Sequence, residues 1–282
     1  MASLAFFIFS PLVKDAPVLV SSYFNSFLHI FACKFFLMSD ISAVIITYNE
    51  EANIERCIKS LLPVASEIVV VDSFSTDRTE EICNRLGARF FKNRFEGYGP
   101  QKQFATNLAT NRWILSLDAD EVVSAEMALS MKNIKNIDDY AAYSFNRQNF
   151  YCGKRIRFCG WYPDTKIRLF DRQQISWNNK LVHESVCCKD SSKVKHLHGD
   201  ILHYTYQSVA QHEEKARKYA LLAAKDLGGK RYSALKIYAK AAFRFFRIYV
   251  LKLGFLDGSL GFRLSLTGAK FVYWKYSNSD KL

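Results

Sequence analysis

The residues best placed to do chemistry in this 282-residue chain are Asp118 and Asp120, spaced two apart directly after the apolar run 113–117. Two carboxylates beyond the end of a buried strand bring both side chains to one divalent cation or to its waters. A hard, oxygen-only site of this kind suits Mg2+ or Mn2+ holding a diphosphate. Alone, such a pair is more often a solvated loop. Two further polar clusters, Thr47, Tyr48, Asn49 and Glu50, and the stretch 72–77 opening with Asp72, also follow apolar runs, and three such clusters together favour a shared site. Competing motifs fail on particular residues. Gly97 and Gly99 start a glycine pattern in which Lys102 stands where a dinucleotide site needs its third glycine, and no phosphate-binding P-loop is present. His183-Glu184 lacks the second histidine of a metalloprotease, and no nucleophile elbow occurs. His196, His198 and His203 read as surface histidines in preference to a metal cluster.

The elements that must position these residues alternate from residue 41 onward. Residues 41–47 (ISAVIIT) form a β-branched apolar run, followed by apolar positions 54, 57, 58, 61 and 62 at helical spacing. Residues 67–71 repeat the strand pattern, and Thr76 or Asp77 is positioned to cap a helix running to residue 86. Strands at 88–91 and 113–117 flank a helix over 101–110. This alternation predicts an α/β fold with a mostly parallel sheet between helices, and ligands of such sheets bind beyond the carboxyl ends of the strands. Beyond Asp120 the pattern predicts a helix over 124–135, a strand near 143–146 and a substrate-facing region of hairpins and loops over 150–177. From 208 the chain reads as helical to 227, breaks at Gly228-Gly229, and resumes over 230–253.

With 49% hydrophobic and 23% charged residues and only five prolines, the chain is not disordered or low-complexity. Its 39 Lys and Arg against 27 Asp and Glu give a net charge of +12, which favours an anionic partner. Seven cysteines include Cys152, Cys159, Cys187 and Cys188 at spacings unlike common zinc sites, and are read as reduced thiols of a cytosolic protein. Residues 1–38 are apolar and aromatic, yet a poor transmembrane span and a poor signal peptide. Met38 precedes the first strand pattern, so it is read as the natural start, with a weak anchor as the alternative. The basic patch Lys154, Arg155 and Arg157 accompanies no nucleic-acid-binding module, so it is assigned to a phosphorylated sugar acceptor and no nucleic acid is expected. Residues 230–252 carry seven Lys or Arg and no acid among apolar residues at helical spacing. They suit an anionic membrane surface, or a packed helix with a solvated basic face.

The segments 42–50, 70–77 and 117–121, in this order and spacing, resemble the nucleotide-sugar-binding half of family 2 glycosyltransferases of the GT-A fold. The later residues Cys159 to Asp164, Arg168 to Phe170, Val182-His183-Glu184 and His203 to Tyr206, with Gly254 to Gly258, resemble a narrower group, the bacterial lipopolysaccharide core β-1,4-glucosyltransferases. The likeness covers about residues 41–276. It implies a catalytic GT-A domain over 39–207 and a helical basic region over 208–282 that meets the acceptor and the membrane surface. It also implies that Thr47, Tyr48, Asn49 and Glu50 line a nucleotide pocket and that Asp72 bonds the base, read as uracil, with a turn or capping aspartate as the alternative. Asp118 contacts ribose or metal, Asp120 ligates the metal, and His203 completes the metal shell or touches phosphate. Lys102 is a phosphate partner or an exposed helical lysine. The implied reaction is metal-dependent, inverting transfer of a hexose, with UDP-glucose the expected donor, to a lipid-linked inner-core sugar. The enzyme is then cytoplasmic and peripheral on the inner membrane. Glu184 is the expected base and Asp164 the reserve. The alternatives are a polyprenyl-phosphate glycosyltransferase and an inactive membrane-bound assembly factor, the latter disfavoured by the intact Asp118, Asp120 and Glu184.

Overall fold

The structure, a computed structural model, describes residues 41–178, 186–188 and 190–280. Its centre is β1 (Ile41–Thr47), paired in parallel with β2 (Glu67–Asp72) on one side and β4 (Trp113–Asp118) on the other. These strands are covered on both faces, which is why they read as nearly continuous apolar runs, interrupted by the small buried Ser42 and Ser116. The helices α1 (Ile54–Leu61) and α2 (Thr79–Arg85) lie between them in sequence, and β3 (Arg89–Lys92) extends the parallel set beside β2. On α1, Ile54, Cys57, Ile58 and Leu61 fall on one helical face and join one core cluster; Ala105 and Ala109, from and just after α3 (Tyr98–Leu108), join the other. Past β4 come β5 (Glu121–Val123), α4 (Ala125–Lys132), β6 (Ala142–Tyr151), β7 (Lys154–Arg155), β8 (Thr165–Asp171), the two-residue pair β9 (Ser176–Trp177) and β10 (Val186–Cys187), and β11 (Val194–Tyr206). The main sheet runs β3-β2-β1-β4-β8-β6-β11-β5, with β7 on β6. Six of its nine strands point one way; β5, β7 and β8 oppose them.

Two expectations need correction. The stretch 150–177 is not all hairpins and loops, because β8 sits in the middle of the sheet between β4 and β6. Lys166 and Arg168 interrupt its apolar run, which hides a buried strand from a pattern reading. Neither Thr76 nor Asp77 is the residue flanking α2. Its neighbour is Arg78, while Asp77 Oδ1 accepts from Thr79 N–H at 3.0 Å and so still satisfies a first-turn donor. Ser124 and Ser208 do cap their helices, accepting from Met127 and Gln211 N–H at 3.1 Å each.

The C-terminal part comprises α5 (Val209–Lys225), α6 (Ala234–Phe246), a π-helical turn over Arg247–Leu251 and α7 (Gly258–Ser277). It is fastened to the sheet by a satellite core containing Tyr151, Ile156, Cys159 and Leu264, with Trp161 and Tyr206 against it. Asp257 accepts from the Arg157 and Phe158 N–H groups at 3.1 and 2.9 Å. A Cβ at Gly261 would fall 1.8 Å from the Gly254 carbonyl oxygen, so only glycine permits α7 to start against the turn before it. Among the described residues, no helix is long and apolar enough to cross a membrane. Cys57, Cys83, Cys152, Cys159 and Cys188 are free thiols.

His212 lies at this joint, its ring 4.4 Å from Tyr206 and 5.3 Å from Tyr151, with Nδ1 3.2 Å from the Tyr151 hydroxyl. Burial pushes its pKa down to about 4, Glu213 opposing and Lys215 adding to the shift. The folded protein therefore holds His212 neutral where the unfolded chain protonates it, so its contribution to stability is complete above about pH 6.5 and is lost between there and about pH 4. The thermal midpoint is expected to sag over that window, and His212→Phe, which keeps the ring and removes the titration, is expected to flatten the sag. Parallel wild-type and variant profiles would show that His212 does not carry the effect.

Candidate active site

Register brings the chemistry to one edge. Thr47 pairs with Asp72, and Ile46 with Asp118, so β1, β2 and β4 deliver their last residues side by side. The loops that follow are stitched together. Asn49, at a positive φ of 52°, donates its N–H to Ser75 Oγ at 2.7 Å and accepts from Thr76 N–H through Oδ1 at 2.8 Å. The Glu50 N–H donates to Thr79 Oγ1 at 2.9 Å. Asp72 is fully buried, with Oδ2 accepting from Ser75 N–H at 2.7 Å and Oδ1 from Ser75 Oγ. Asn49 and Asp72 thus use their carboxamide and carboxylate to shape the loop, the turn role set beside base recognition for Asp72.

A cavity of about 640 Å³ opens at this edge. It is lined by Thr47, Tyr48 and Glu50 after β1, Asp118 and Asp120 at the end of β4, His203 from β11 and Lys215 from α5. A second cavity of about 950 Å³ lies across Asp118 and Tyr98, which line both; its wall includes Arg147, Lys166, Arg168, Trp177 and Tyr219. Asp118 is the hinge between the two spaces. Its Oδ1 is 2.8 Å from Lys102 Nζ and its Oδ2 3.3 Å from Arg168 Nη2. Arg168 also lies 2.6 Å from Oε1 of Glu121, whose Oε2 accepts from Asp118 N–H at 3.1 Å. Arg147 reaches Glu121 at 3.3 Å and Asp164 at 2.7 Å, and Lys166 reaches Asp164 at 3.0 Å. Burial alone would raise the Asp118 carboxyl, but the charges of Lys102 and Arg168 outweigh it and hold Asp118 well below the usual carboxylate range. Asp164 is likewise lowered against its burial, by Lys166 and Arg147.

Asp120 faces the other way, with Oδ2 3.2 Å from His203 Nε2. The Asn149 amide donates Nδ2 to the Trp161 carbonyl at 2.9 Å, so its Oδ1, 2.6 Å from His203 Nδ1, is the acceptor and that ring nitrogen carries the proton. Nε2 of a neutral ring then directs a lone pair at a carboxylate, an arrangement that a proton or a metal ion completes. Glu50 is nearby: burial raises its carboxyl, with the Asn53 hydrogen bond opposing and the Asp120 charge adding to the rise. The expected ligand set of Asp118, Asp120 and His203 is therefore divided. Among the described residues no three His, Cys, Asp or Glu groups form a metal cluster, because Asp118 is turned to Lys102 and Arg168. Asp120 and His203 remain; one carboxylate oxygen with one imidazole nitrogen suits Mn2+ better than the oxygen-seeking Mg2+, and phosphate oxygens and water would complete the shell.

Lys102 is not an exposed lysine and lines neither cavity. It is buried behind Asp118, 5.0 Å over the Trp177 ring. His183 and Glu184 lie outside the described residues. His196 and His198 are exposed on β11 and do not cluster with His203. Arg155 of the expected acceptor patch bonds Gln148 and pairs with Asp200 at 3.5 Å, and Lys154, Arg155 and Arg157 line neither cavity. The sequence reading assigned no role to Glu121, Arg147, Arg168 or Lys215. A charge inside the apolar stretch 167–170 was the available signal for Arg168, since a buried cation requires a buried partner.

A family model described as Glycosyl transferase family 2 matches residues 42–189. An uncharacterised glycosyltransferase of Rickettsia typhi is 34% identical over 237 residues, 80% of this chain and 81% of that protein. The chain belongs to glycosyltransferase family 2. This family 2 glycosyltransferase is also similar, at 28% identity over 83% of its own length and 89% of the other's, to a lipopolysaccharide core biosynthesis glycosyltransferase of Rhizobium meliloti. Its sheet, parallel from β3 to β4 and mixed beyond β4, is that of the GT-A fold. Staphylococcus aureus TarS, solved with UDP-GlcNAc, is a remote structural neighbour, 17% identical with a TM-score of 0.41 over 86% of this chain and 83% of that one.

The ion network makes a contrast in stability. Arg168→Met leaves Glu121 and Asp118 short of a buried partner and is expected to destabilise the enzyme by about 3 kcal/mol, whereas Asp120→Asn, outside that network, is expected to stay within about 0.5 kcal/mol of wild type. Denaturant titration of both variants checks this; equal destabilisation would remove the distinction between the two aspartates.

Proposed function

We propose that the enzyme is an inverting hexosyltransferase that moves glucose from UDP-glucose to an inner-core sugar of a lipid-linked lipopolysaccharide or lipooligosaccharide, with Mg2+ or Mn2+ bound. In this reading it works peripherally at the cytoplasmic face of the inner membrane. The observation that carries the proposal is the arrangement of two cavities that share Asp118, with Asp120 and His203 turned into the smaller one. The donor occupies that smaller cavity, its uridine against Thr47 and Tyr48 and its diphosphate toward Asp120, His203 and Lys215. The acceptor occupies the larger one, where the exposed Tyr98 and Tyr219 offer ring surface to a sugar. Similarity to the Rhizobium meliloti protein supports a lipopolysaccharide core acceptor.

Asp118 holds its position through Lys102 and Arg168 and so fixes where the anomeric carbon sits between the two spaces. A bound divalent cation supplies charge neutralisation to the departing diphosphate. Lys215 adds a cation on the same side from α5. The acceptor hydroxyl requires a base on the opposite side, and Glu184 has that role in the proposal. It lies in sequence between Trp177 and Val186, both of which line the larger cavity. Asp164 is the weaker choice, since Lys166 and Arg147 hold it ionised and reduce its affinity for a proton.

Asp120→Ala is expected to abolish transfer and metal-dependent donor binding while the fold persists; near-wild-type turnover would remove Asp120 from the site. Glu184→Gln is expected to bind donor normally and to lose about 10²-fold in kcat. If Glu184→Gln loses donor affinity instead, Glu184 is a binding residue, and if Asp164→Asn alone shows the kinetic defect, the base is Asp164.

A further inference from the structure

Among the described residues, the C-terminal helices leave an apolar face exposed. α6 turns Ile237 and Ala241 inward, where they are buried. On the adjoining arc of the same helix stand Leu235, Tyr238, Phe243 and Phe246, with exposures of 82%, 61%, 61% and 46%. The apolar surface continues past the helix through Leu251, Leu253, Phe255 and Leu256, all exposed. The third arc of α6 and its π-helical extension carry Lys236, Lys240, Arg244 and Arg247, spaced by three or four residues. No acid occurs from residue 227 to 256. Arg231 pairs with Asp280 at 3.6 Å, and no other cation of this run has an acid partner among the described residues. An inward face, an exposed aromatic arc and an uncompensated cationic arc therefore lie side by side around one helix.

We propose that this face docks on an anionic phospholipid bilayer, with Phe243, Phe246, Phe255 and Leu256 at the boundary of headgroups and acyl chains and Lys236, Lys240 and Arg247 among the headgroup phosphates. Apolar residues bordered by long cationic side chains suit that boundary, where the rings enter lipid and the cations reach anions. A second copy of the chain fits less well, because it would bring two unneutralised cationic arcs together in a protein of net charge +12. The position relative to the active site gives the docking a purpose. Leu222, Lys225 and Asp226 at the end of α5 line the larger cavity, and eight residues later the chain starts α6. A bilayer against α6 thus holds the acceptor cavity close to the lipid surface. Only this last step rests on the proposed lipid-linked acceptor; the docking stands on the surface itself.

The test is flotation of the full chain with vesicles of phosphatidylethanolamine and phosphatidylglycerol, against phosphatidylcholine vesicles, at low and raised salt. Residues 1–40 are apolar in their own right, so the comparison is between full-length variants. Wild type is expected to float with the anionic vesicles and to be released as salt screens the headgroups. Phe243→Ser/Phe246→Ser, which keeps every charge, and Lys236→Glu/Lys240→Glu/Arg247→Glu, which keeps every ring, are each expected to weaken binding by about 10-fold or more. Circular dichroism and an unchanged denaturant midpoint establish that each variant is folded. Phe246→Trp is expected to be quenched by bromine-labelled acyl chains beyond the wild-type signal, which separates insertion from charge attraction alone. Absence of flotation at low salt, equal flotation of all variants, or no added quenching overturns the proposal. So does a concentration-dependent dimer in sedimentation that Phe243→Ser/Phe246→Ser abolishes, since the face would then join two copies. None of these readouts requires turnover, so a failed transferase assay leaves the docking result standing, and a failed flotation removes the peripheral placement from the proposed function while leaving the transfer reaction standing.

Discussion

The site depends on a buried arginine held between two acids. Removing the Glu121 carboxylate and the Arg168 guanidinium from water is costly, and the two are tolerable in the interior only because they face each other at 2.6 Å with Asp118, Arg147 and a backbone N–H taking up further bonds. Several features of the fold follow from that constraint. Arg168 has to come from a strand beside β4, so β8 occupies the middle of the sheet and runs against it. Glu121 bonds back to the Asp118 N–H, which closes the turn at 119–120 and points Asp120 away from the network and into the smaller cavity. β11 then pairs with β5 so that His203 stands opposite Glu121, and the Tyr204 N–H donates to the Asp120 carbonyl at 3.0 Å. Two aspartates two residues apart thereby acquire different surroundings: one is locked among cations, the other faces a histidine.

The C-terminal helices complete both cavities. Lys215, Tyr219, Leu222 and Asp226 follow one face of α5 and its end, and that face spans from the smaller cavity to the larger. The opposite face buries Ala220 and Ala224, whose small side chains let α7 approach. The aromatic joint around Tyr151, Tyr206 and His212 sets the position of α5, and through it the position of Lys215. The basic helices are thus both part of the site's wall and the owners of the exposed apolar surface.

The parallel half of the fold was legible because strands buried on both faces are almost wholly apolar: the runs ending at Thr47, Asp72 and Asp118 announce the strands and the edge at which their last residues gather. The other half was less so. β8 carries Lys166 and Arg168, and β11 carries Lys195, His196, His198 and Asp200 with a register shift between His196 and Asp200, so neither shows a clean alternation or an apolar run. The family resemblance put Asp118, Asp120 and His203 in one shell; the structure sets His203 beside Asp120 and turns Asp118 to Lys102 and Arg168. Lys102 was misread for want of its partner, since a lysine flanked by Gln101 and Gln103 on a short helix looks solvated until Asp118 and Trp177 are seen to cover it. Asn49 and Asp72 could be placed at the right edge from sequence, but which way an amide or carboxylate turns depends on loops 26 and 3 residues away, respectively, whose hydrogen bonds no pattern records.

The most direct test of the account is a crystal structure with UDP and Mn2+, with the metal located by anomalous scattering. The account predicts one anomalous peak between Asp120, His203 Nε2 and the diphosphate, the uracil lying toward Thr47 and Tyr48, and the Lys102 and Arg168 contacts to Asp118 retained. A peak held by Asp118 with the Lys102 pair broken, or UDP bound in the cavity walled by Arg147 and Trp177, would contradict it.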